Sequence, residues 1–338
     1  MVTVCVDAMG GDEPPEVVLE GVAQALDSDS DLSVLVAGDD GAVTPFCASH
    51  DRARALVTTE VIGMGEHPAE AVRAKRDSSI VRACAAVRAG EADGFFSAGS
   101  TGAMLVAATL GVGRIRGIKR PCIASATPGA SGRPTVFTDM GANADARPDM
   151  IVQFAQMGRA YATVVLGVED PKVALLSNGA EEAKGSEAAL AAHAALKAAA
   201  GEGGWFAGNC EGTDILAGRF DVIVTDGFTG NVALKTLEGT AKYLVDQIRR
   251  ATETSTRAKL GAGLLKPALK GIAAGLSGDV YGGAALLGVK APVYIGHGAT
   301  SPEAVKNGTL AGARAVRQEL VGKVARKEIG RASCRERV

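Results

Sequence analysis

The sequence predicts an α/β fold with three layers, α/β/α, in which helices cover both faces of a mostly parallel sheet. Short runs of β-branched residues are repeatedly followed by a glycine-rich turn and then by an alanine-rich helix. Glycine is also abundant, with 44 of 338 residues, which suits tight turns between strands and helices. Strand–turn–helix units repeated in this way are typical of parallel sheets.

These units follow one another in a single domain over residues 1–330. The first has a strand at 2–6, after which Pro14 and Pro15 favour a helix start, because proline suits the first helical turn. Further strands are predicted at 32–37, 94–96, 172–176, 220–224 and 292–295, and helices at 16–26, 78–88, 181–199, up to about 251 and from 302 onward. Residues 331–338 have neither a strand nor a helix pattern, so a disordered tail or a sequence artefact is predicted there.

A basic segment over 257–277 departs from this pattern and predicts a helical excursion near 252–280. It combines leucines at helical spacing with four cations and no acidic residue. Two alternatives fit: a helix lying on an anionic bilayer, or a helical hairpin packed between two subunits. The residues that would contact the membrane surface are Leu260, Leu264, Leu265, Lys266, Leu269, Lys270 and Ile272.

Composition excludes several classes of protein. The formal net charge of −2 and the aromatic content of 4% argue against a nucleic-acid-binding protein, which needs a basic face or a stacking surface. The 6 cysteines and 4 histidines are scattered, so neither a metal site nor a disulfide framework is expected. Reduced thiols and the lack of a basic N-terminal region favour a cytoplasmic protein over a secreted one.

The turns that follow the predicted strands are candidate anion-binding sites. In open α/β sheets such turns gather at the carboxyl edge, where we expect them to form one pocket. Glycine lets backbone N–H groups converge on an anion, and a helix N-terminus adds a partial positive charge. The absence of G-x-G-x-x-G, P-loop and G-x-S-x-G motifs disfavours a dinucleotide-dependent dehydrogenase, an NTPase and a serine hydrolase. A phosphate-handling site without a covalent serine is therefore predicted.

Motifs along the whole chain resemble the bacterial phosphate acyltransferase (PlsX) family. They are, in order, Asp7-Ala-Met-Gly-Gly-Asp12, Phe95-Phe-Ser-Ala-Gly-Ser-Thr-Gly-Ala103, Asp139-Met-Gly-Ala-Asn143, Gln153-Phe-Ala-Gln-Met-Gly158, Asn178-Gly-Ala-Glu-Glu-Ala-Lys-Gly185, Asp226-Gly-Phe-Thr-Gly-Asn231 and Tyr281-Gly-Gly-Ala284 with Gly296-His-Gly298. The resemblance extends to about Gln318, with Ser100 standing where the family often has asparagine.

This resemblance implies a fold similar to those of isocitrate dehydrogenase and phosphotransacetylase, and a homodimer. It implies transfer of a long acyl chain from acyl carrier protein to inorganic phosphate, which gives acyl phosphate for phospholipid synthesis. It also implies a cytoplasmic enzyme associated peripherally with an anionic membrane surface, which favours the membrane alternative for 257–277. No cofactor, metal or nucleic acid is expected.

The candidate catalytic residues are Lys184, Asn143, Asp226, Asn231 and His297. Lys184 is predicted in the first turns of a helix, where its ammonium group would bind phosphate or the acyl phosphate oxygens. A neighbouring carboxylate, Glu181 or Glu182, would orient it. Other members of the set have a second interpretation: Asp226 as a helix cap, Asn143 as a residue that closes its own turn, and His297 as a structural or ligand-positioning residue.

Candidate phosphate- or substrate-binding residues come from the glycine-rich turns. They are Gly10, Gly11, Ser97, Gly99, Ser100, Thr101, Asn178, Gly179, Glu182, Gly227, Phe228, Thr229 and Gly230. The serine and threonine hydroxyls would donate to phosphate or cap the helix that starts near Gly102. Asp12 is predicted to cap the first helix, and Asp7 to hold a cation or a backbone turn, because their charge would repel phosphate.

The implied reaction is attack of phosphate on a thioester. The second pKa of phosphate is about 6–7, so the dianion is abundant at neutral pH and alignment matters more than a strong base. Two other functions stay open. One is a short-chain phosphotransacetylase that uses acyl-coenzyme A, and the other is a non-catalytic anion-binding scaffold at the membrane.

Overall fold

The computed structural model describes residues 1–253, 261, 263, 265 and 282–326. The strands are β1 (Val2–Asp7), β2 (Leu32–Gly38), β3 (Ala53–Val57), β4 (Gly94–Ser97), β5 (Cys122–Thr127), β6 (Thr135–Thr138), β7 (Val173–Leu176), β8 (Phe206–Cys210), β9 (Val222–Val224), β10 (Ala284–Leu287) and β11 (Val293–Ile295). The helices are α1 (Pro15–Ser28), α2 (Asp40–Ala48), α3 (Pro68–Ala74), α4 (Ser79–Ala89), α5 (Thr101–Ala107), α6 (Pro148–Val165), α7 (Glu187–Ala200), α8 (Gly227–Glu253) and α9 (Pro302–Arg317). A π-helical turn over Ala108–Val112 extends α5.

One sheet contains all of these strands, in the order β3-β2-β1-β4-β11-β10-β5-β6-β9-β7-β8. Most neighbours are parallel, and the three antiparallel pairs are β11–β10, β10–β5 and β5–β6 in the middle of the sheet. The predicted mostly parallel sheet is therefore confirmed. The strands from the first part of the chain form one end of the sheet, and the C-terminal strands β10 and β11 lie between them and the rest.

The expectation that all the turns meet at one edge of the sheet is wrong. Three successive antiparallel pairs reverse the strand direction, so β6, β9 and β7 run opposite to β1, β4 and β11. The turns after β1, β4 and β11 consequently lie at one edge, and the turns after β6, β7 and β9 lie at the other. Only the central strands separate the two groups.

Helices cover both faces of the sheet, which confirms the three layers. Side chains alternate between the faces because successive residues of a strand point in opposite directions. In β1, Val4 and Val6 face the layer formed by α1, α2, α6, α7 and α9, whereas Cys5 faces α3, α4 and α5. In β4, Phe96 and Phe95 divide in the same way, and burial of each such side chain contributes roughly 1.5–3 kcal/mol.

The predicted helices differ from the structure mainly at one start. The helix predicted over 181–199 begins instead at Glu187, where Ser186 caps it by accepting a hydrogen bond from the Ala189 N–H. The helix predicted up to about 251 is α8, which reaches Glu253. Most of the excursion near 252–280 and the whole of 331–338 lie outside the described residues.

Candidate active site

A central cavity of about 610 Å³ lies over the face of β5, between α5 and α8. Its walls come from both edges of the sheet, because it extends along the strands that reverse the sheet direction. It is lined by Thr101, Gly102, Leu105, Ile123, Ser125, Ala126, Thr127, Pro128, Met140, Gly141, Asn231, Leu234, Lys235, Glu238, Gly283, Ala284, Ile295, Gly296 and His297. Apolar side chains form much of this wall, and hydroxyl, amide, ammonium and imidazole groups interrupt it.

Three of the predicted site residues meet in the central cavity. Thr101 is the first residue of α5, Asn231 lies in the second turn of α8, and His297 follows β11. All three are exposed, so their polar groups are accessible to a ligand. The Nδ1 atom of His297 accepts a hydrogen bond of 3.3 Å from the Ala299 N–H, which in the neutral ring places the proton on Nε2.

The turn after β4 is fixed by a buried carboxylate. The Ser97 hydroxyl donates to Asp7 Oδ2 at 2.7 Å and accepts from the Gly99 N–H at 2.9 Å. Asp7 Oδ1 accepts from the Met9 N–H at 3.0 Å. Burial raises the pKa of the Asp7 carboxyl. Ser97 therefore uses its hydroxyl within the protein, and Asp7 holds a backbone turn, which is one of its two predicted roles. The predicted cap on the next helix is present, since the Ser100 hydroxyl accepts from the Ala103 N–H at 3.5 Å.

The glycines of the β1 turn pack against the neighbouring turns. A Cβ at Gly10 would lie 2.7 Å from the Gly99 nitrogen, and Gly11 has a φ of 105°, which favours glycine. The Asp12 N–H donates to the Gly298 carbonyl at 2.8 Å. The prediction that Asp12 caps α1 is wrong, because Pro14 is the N-cap residue and no side chain caps that end.

The turn after β6 is built around a second buried carboxylate, Asp139. Asp139 accepts hydrogen bonds from the backbone N–H groups of Ile123 at 2.9 Å, Ala142 at 3.0 Å and Asn143 at 2.9 Å. The Asn143 amide donates to Asp139 Oδ2 and to the Pro121 carbonyl, both at 2.8 Å. Asn143 thus closes its own turn, the second of its two predicted roles. Burial raises the pKa of Asp139.

The start of α8 is capped by a side chain and packs closely against the turn after β6. Asp226 accepts from the Thr229 N–H at 2.8 Å and from the Thr229 hydroxyl at 2.7 Å, which is N-cap geometry. The Gly227 N–H donates to the Asn143 carbonyl at 2.7 Å. A Cβ at Gly230 would collide with the Asp139 carbonyl oxygen. These contacts hold Asn231 beside Gly141 at the wall of the central cavity.

A second cavity of about 920 Å³ lies where β7 and β9 end. The starts of α6, α7 and α8 border it, together with the predicted site residues Asn178, Asp226, Phe228 and Thr229. Phe228 is 66% exposed there. The predicted residues Gly10, Gly11, Ser97, Gly99 and Ser100 line neither cavity.

Lys184 lies in the exposed loop over 177–186, ahead of α7 and not within it as predicted. The later start follows from Ser186, which takes the N-cap position. Glu182 does not pair with Lys184, because both of its oxygens accept from Lys197 Nζ at 2.9 Å. Lys184 packs its stem against Gly179, and within the described chain it lines neither the central nor the second cavity.

Sequence reasoning missed four polar residues of the central cavity: Lys235, Glu238, Ser125 and Thr127. Lys235 follows Asn231 by four residues, and residues at this spacing share a helix face, so the signal was present. The two hydroxyl residues alternate with small apolar residues in β5, a period-two pattern typical of a strand.

The described residues contain no group of three or more histidine, cysteine or acidic side chains placed to hold a metal ion. Within the same part of the chain, no helix has the length and apolar character needed to cross a membrane.

The α/β fold of this chain is similar to that of two solved phosphotransacylases. A phosphotransacetylase from Streptococcus pyogenes is similar over 94% of both chains, with a TM-score of 0.60 and 16% sequence identity. A branched-chain phosphotransacylase from Enterococcus faecalis V583 is similar over 94% of this chain and 99% of its own, with a TM-score of 0.58 and 15% identity. At these identities the likeness concerns the fold.

Sequence comparison identifies the family. The model of the fatty acid synthesis protein family matches residues 2–323. A phosphate acyltransferase from Limosilactobacillus fermentum is 49% identical over 86% of this chain and 85% of its own, and one from Geobacillus thermodenitrificans is 41% identical over 98% and 99%. The chain belongs to this family of phosphate acyltransferases and is an acyltransferase, which confirms the family predicted from the motifs.

Proposed function

We propose that this enzyme transfers a long-chain fatty acyl group from acyl carrier protein to inorganic phosphate, and that the transfer takes place in the central cavity. The observation that carries this proposal is the meeting of Thr101, Asn231 and His297 in one cavity whose remaining wall is largely apolar. The polar groups suit phosphate and the thioester, and the apolar wall suits the acyl chain.

The chemistry requires alignment more than acid–base catalysis. A phosphate oxygen of the dianion attacks the thioester carbonyl carbon and forms a tetrahedral oxyanion. The carbon–sulfur bond then breaks, and the products are acyl phosphate and the carrier thiolate, which takes a proton from solvent. Thiols have a pKa near about 8.5, so the thiolate leaves readily. Orientation can contribute about 7–11 kcal/mol, and one oxyanion donor about 3–4 kcal/mol.

Donors for the oxyanion and for phosphate come from both halves of the sheet. Thr101 supplies a hydroxyl at the start of α5. Asn231 supplies an amide from α8, and His297 supplies its Nε2–H. Because the turns behind these residues are fixed by Asp7 and Asp139, the donors are held in place before the substrate binds.

Of its two proposed ligands, inorganic phosphate and acyl phosphate, we assign Lys184 the acyl phosphate product, since it lines neither cavity. It stands in an exposed loop beside Asn178 and Gly179, and its ammonium group makes no ion pair with the described residues. An ammonium group without a carboxylate partner among the described residues is available to the anionic product.

The acyl chain fits the central cavity by size and lining. Ligand pockets commonly have volumes of about 300–1,000 Å³, and this cavity of about 610 Å³ is lined by Leu105, Met140, Leu234 and Ile295. A short-chain phosphotransacetylase that uses acyl-coenzyme A is the second candidate, because the fold is similar to that of phosphotransacetylases. Turnover measured against chain length separates the two: a long-chain enzyme prefers palmitoyl to acetyl thioesters.

The decisive experiment mixes the purified protein with phosphate and palmitoyl-acyl carrier protein and seeks acyl phosphate by mass spectrometry. We expect acyl phosphate to form in proportion to phosphate, and no thioester to be consumed when phosphate is omitted. If the thioester is stable in the presence of phosphate, the protein is not this enzyme and the non-catalytic scaffold is favoured.

A homodimer and a peripheral membrane contact belong to the same proposal. The α8 surface exposes Tyr243, Leu244 and Ile248, an apolar face that suits contact with a second copy. Replacing Leu244 and Ile248 with glutamate should give a monomer in sedimentation experiments.

Of the proposed membrane-binding residues, Leu265 is exposed and the others lie outside the described residues. Changing Leu264 and Leu265 to glutamate should abolish pelleting with anionic liposomes and preserve activity in solution.

A further inference from the structure

The central cavity contains one charged pair that the proposed chemistry does not yet use. Lys235 and Glu238 lie one turn apart on α8, and both line the cavity. The Lys235 Nζ atom donates to Glu238 Oε2 at 2.7 Å. Among the described residues that line this cavity, Lys235 is the only lysine or arginine. Without a ligand, the two charges compensate each other.

A phosphate dianion in this cavity needs positive charge close by. With Lys235 paired to Glu238, the ammonium and carboxylate charges on the cavity wall cancel. Thr101 and Asn231 offer only dipoles, and Lys184 lines neither cavity. The ammonium group of Lys235 is therefore the available counter-charge.

The placement of Lys235 suits this role. It follows Asn231 by four residues, so the two side chains lie next to each other on one face of α8. Its ion pair is half-exposed, with side-chain exposures of 56% for Lys235 and 43% for Glu238, and such pairs are weak in water. A phosphate oxygen can replace the Glu238 carboxylate at the cost of a weak contact.

Resting on the proposed function, we infer that Lys235 is the cation that binds inorganic phosphate in the central cavity, and that Glu238 competes with phosphate for it. Phosphate accepts from the ammonium group on one side and from the Asn231 amide on the other, with its remaining oxygens free to attack the thioester. Glu238 keeps Lys235 directed along the cavity wall when phosphate is absent and weakens phosphate binding.

Steady-state kinetics with varied phosphate tests this inference. Lys235→Met should raise KM for phosphate about tenfold or more, in line with the loss of one charge-assisted hydrogen bond. KM for palmitoyl-acyl carrier protein should change less than twofold. Glu238→Gln should lower KM for phosphate about two- to threefold, because the competing carboxylate is gone. Combining Glu238→Gln with Lys235→Met should give the KM of Lys235→Met alone.

Lys242→Met provides a matched control. Lys242 is an exposed lysine of the same helix that does not line the cavity, so its loss should leave KM for phosphate unchanged. Increasing ionic strength should raise KM for phosphate in the wild type and much less in Lys235→Met, since salt screens the charge. Circular dichroism and thermal melting verify that each variant folds.

Three results would overturn the inference. An unchanged KM for phosphate in Lys235→Met would show that another group compensates the phosphate charge, and a large rise in Lys184→Met alone would assign that role to the 177–186 loop. A rise in KM for the carrier protein in place of KM for phosphate would make Lys235 a contact for the carrier. In each case the wild type still forms acyl phosphate, whereas its failure to do so would refute the proposed function itself.

Discussion

Glycine-rich segments follow the strands β1, β6 and β7. The turns after β1 and β6 and the loop after β7 are nevertheless fixed by different hydrogen bonds. In each of the two turns, a buried aspartate, Asp7 or Asp139, accepts backbone hydrogen bonds, and glycines allow close contact with a neighbouring turn. The 177–186 loop has no such buried carboxylate. Its firm attachment is the Asn209 amide, which donates to the Glu181 carbonyl at 2.9 Å.

This difference divides the candidate site into a fixed part and an exposed part. Asp7 and Asp139 lie behind the walls of the central cavity, where donors must be aligned. Lys184 lies in the exposed loop, where a long cationic side chain can follow a ligand. An internal carboxylate acceptor, more than the number of glycines, distinguishes the two turns from the 177–186 loop.

The largest effect is expected where a fixed turn is broken. Gly230→Ala should abolish most of the activity and lower the free energy of unfolding by at least about 1–3 kcal/mol, because the new methyl group collides with the Asp139 carbonyl and overpacks the contact. Turnover and urea denaturation measure the two effects. Gly239→Ala is the control: it lies on the same helix with no atom near its Cβ position, and it should be neutral or stabilise by up to about 1 kcal/mol. Full activity in Gly230→Ala would show that this contact does not position Asn231.

A smaller but specific loss is expected from the exposed loop. Lys184→Ala should reduce turnover roughly 100-fold, the scale of one lost catalytic donor, while the melting temperature stays close to that of the wild type because the side chain is exposed. Lys197→Ala removes a neighbouring cation on α7 and should preserve turnover. Wild-type turnover in Lys184→Ala would remove this lysine from the site.

The buried carboxylates should also be visible as a pH dependence of stability. Burial raises the pKa of Asp7 above the ordinary value of 3.8, so the folded state binds this proton more tightly than the unfolded state. The stabilising contribution is fully present below pH 3.8 and is lost as pH rises through the raised pKa. The free energy of unfolding of the wild type minus that of Asp7→Asn should therefore decrease with rising pH. Urea denaturation of both proteins across a pH series measures this slope, and a difference that increases with pH would contradict a raised pKa.

The smallest effect is expected at an ion pair far from both regions. Arg317 donates to Asp29 at 2.6 and 3.1 Å and joins α9 to the end of α1, and this hydrogen-bonded guanidinium lowers the pKa of Asp29. Asp29→Asn should cost about 0.2–1 kcal/mol, and its difference from the wild type should increase as pH rises through the folded-state pKa, opposite in sign to that of Asp7→Asn. Turnover should stay unchanged; a loss of activity would mean that general destabilisation, and not the turns, governs catalysis.

Much of the fold could be predicted because the strands that end in glycine-rich turns contain valine, isoleucine or phenylalanine runs. Five strands were missed: β3, β6, β8, β5 and β10. The last two, Cys122–Thr127 and Ala284–Leu287, are rich in alanine, which has low β propensity. These two strands reverse the sheet. Their absence from the prediction explains why the turns were expected at one edge.

The site was predicted in its residues more than in its geometry. Asn231 and His297 follow from the motifs, but a motif does not show which cavity a side chain lines. Lys235 escaped notice because a lysine near a glutamate on a helix resembles an ordinary exposed pair. Its proposed role in phosphate binding depends on the other residues that line the central cavity, which come from β5 and from turns distant in sequence.

The position of β10 and β11 has a consequence for how the chain assembles during synthesis. Strands β1–β4 and strands β5–β9 are made early, yet the sheet joins them only through a hairpin encoded near the end of the sequence. Until the ribosome has released that hairpin, both groups of strands expose an unpaired inner edge, and such edges favour aggregation. A nascent chain stalled before residue 284 should consequently depend on chaperones more than the completed protein does.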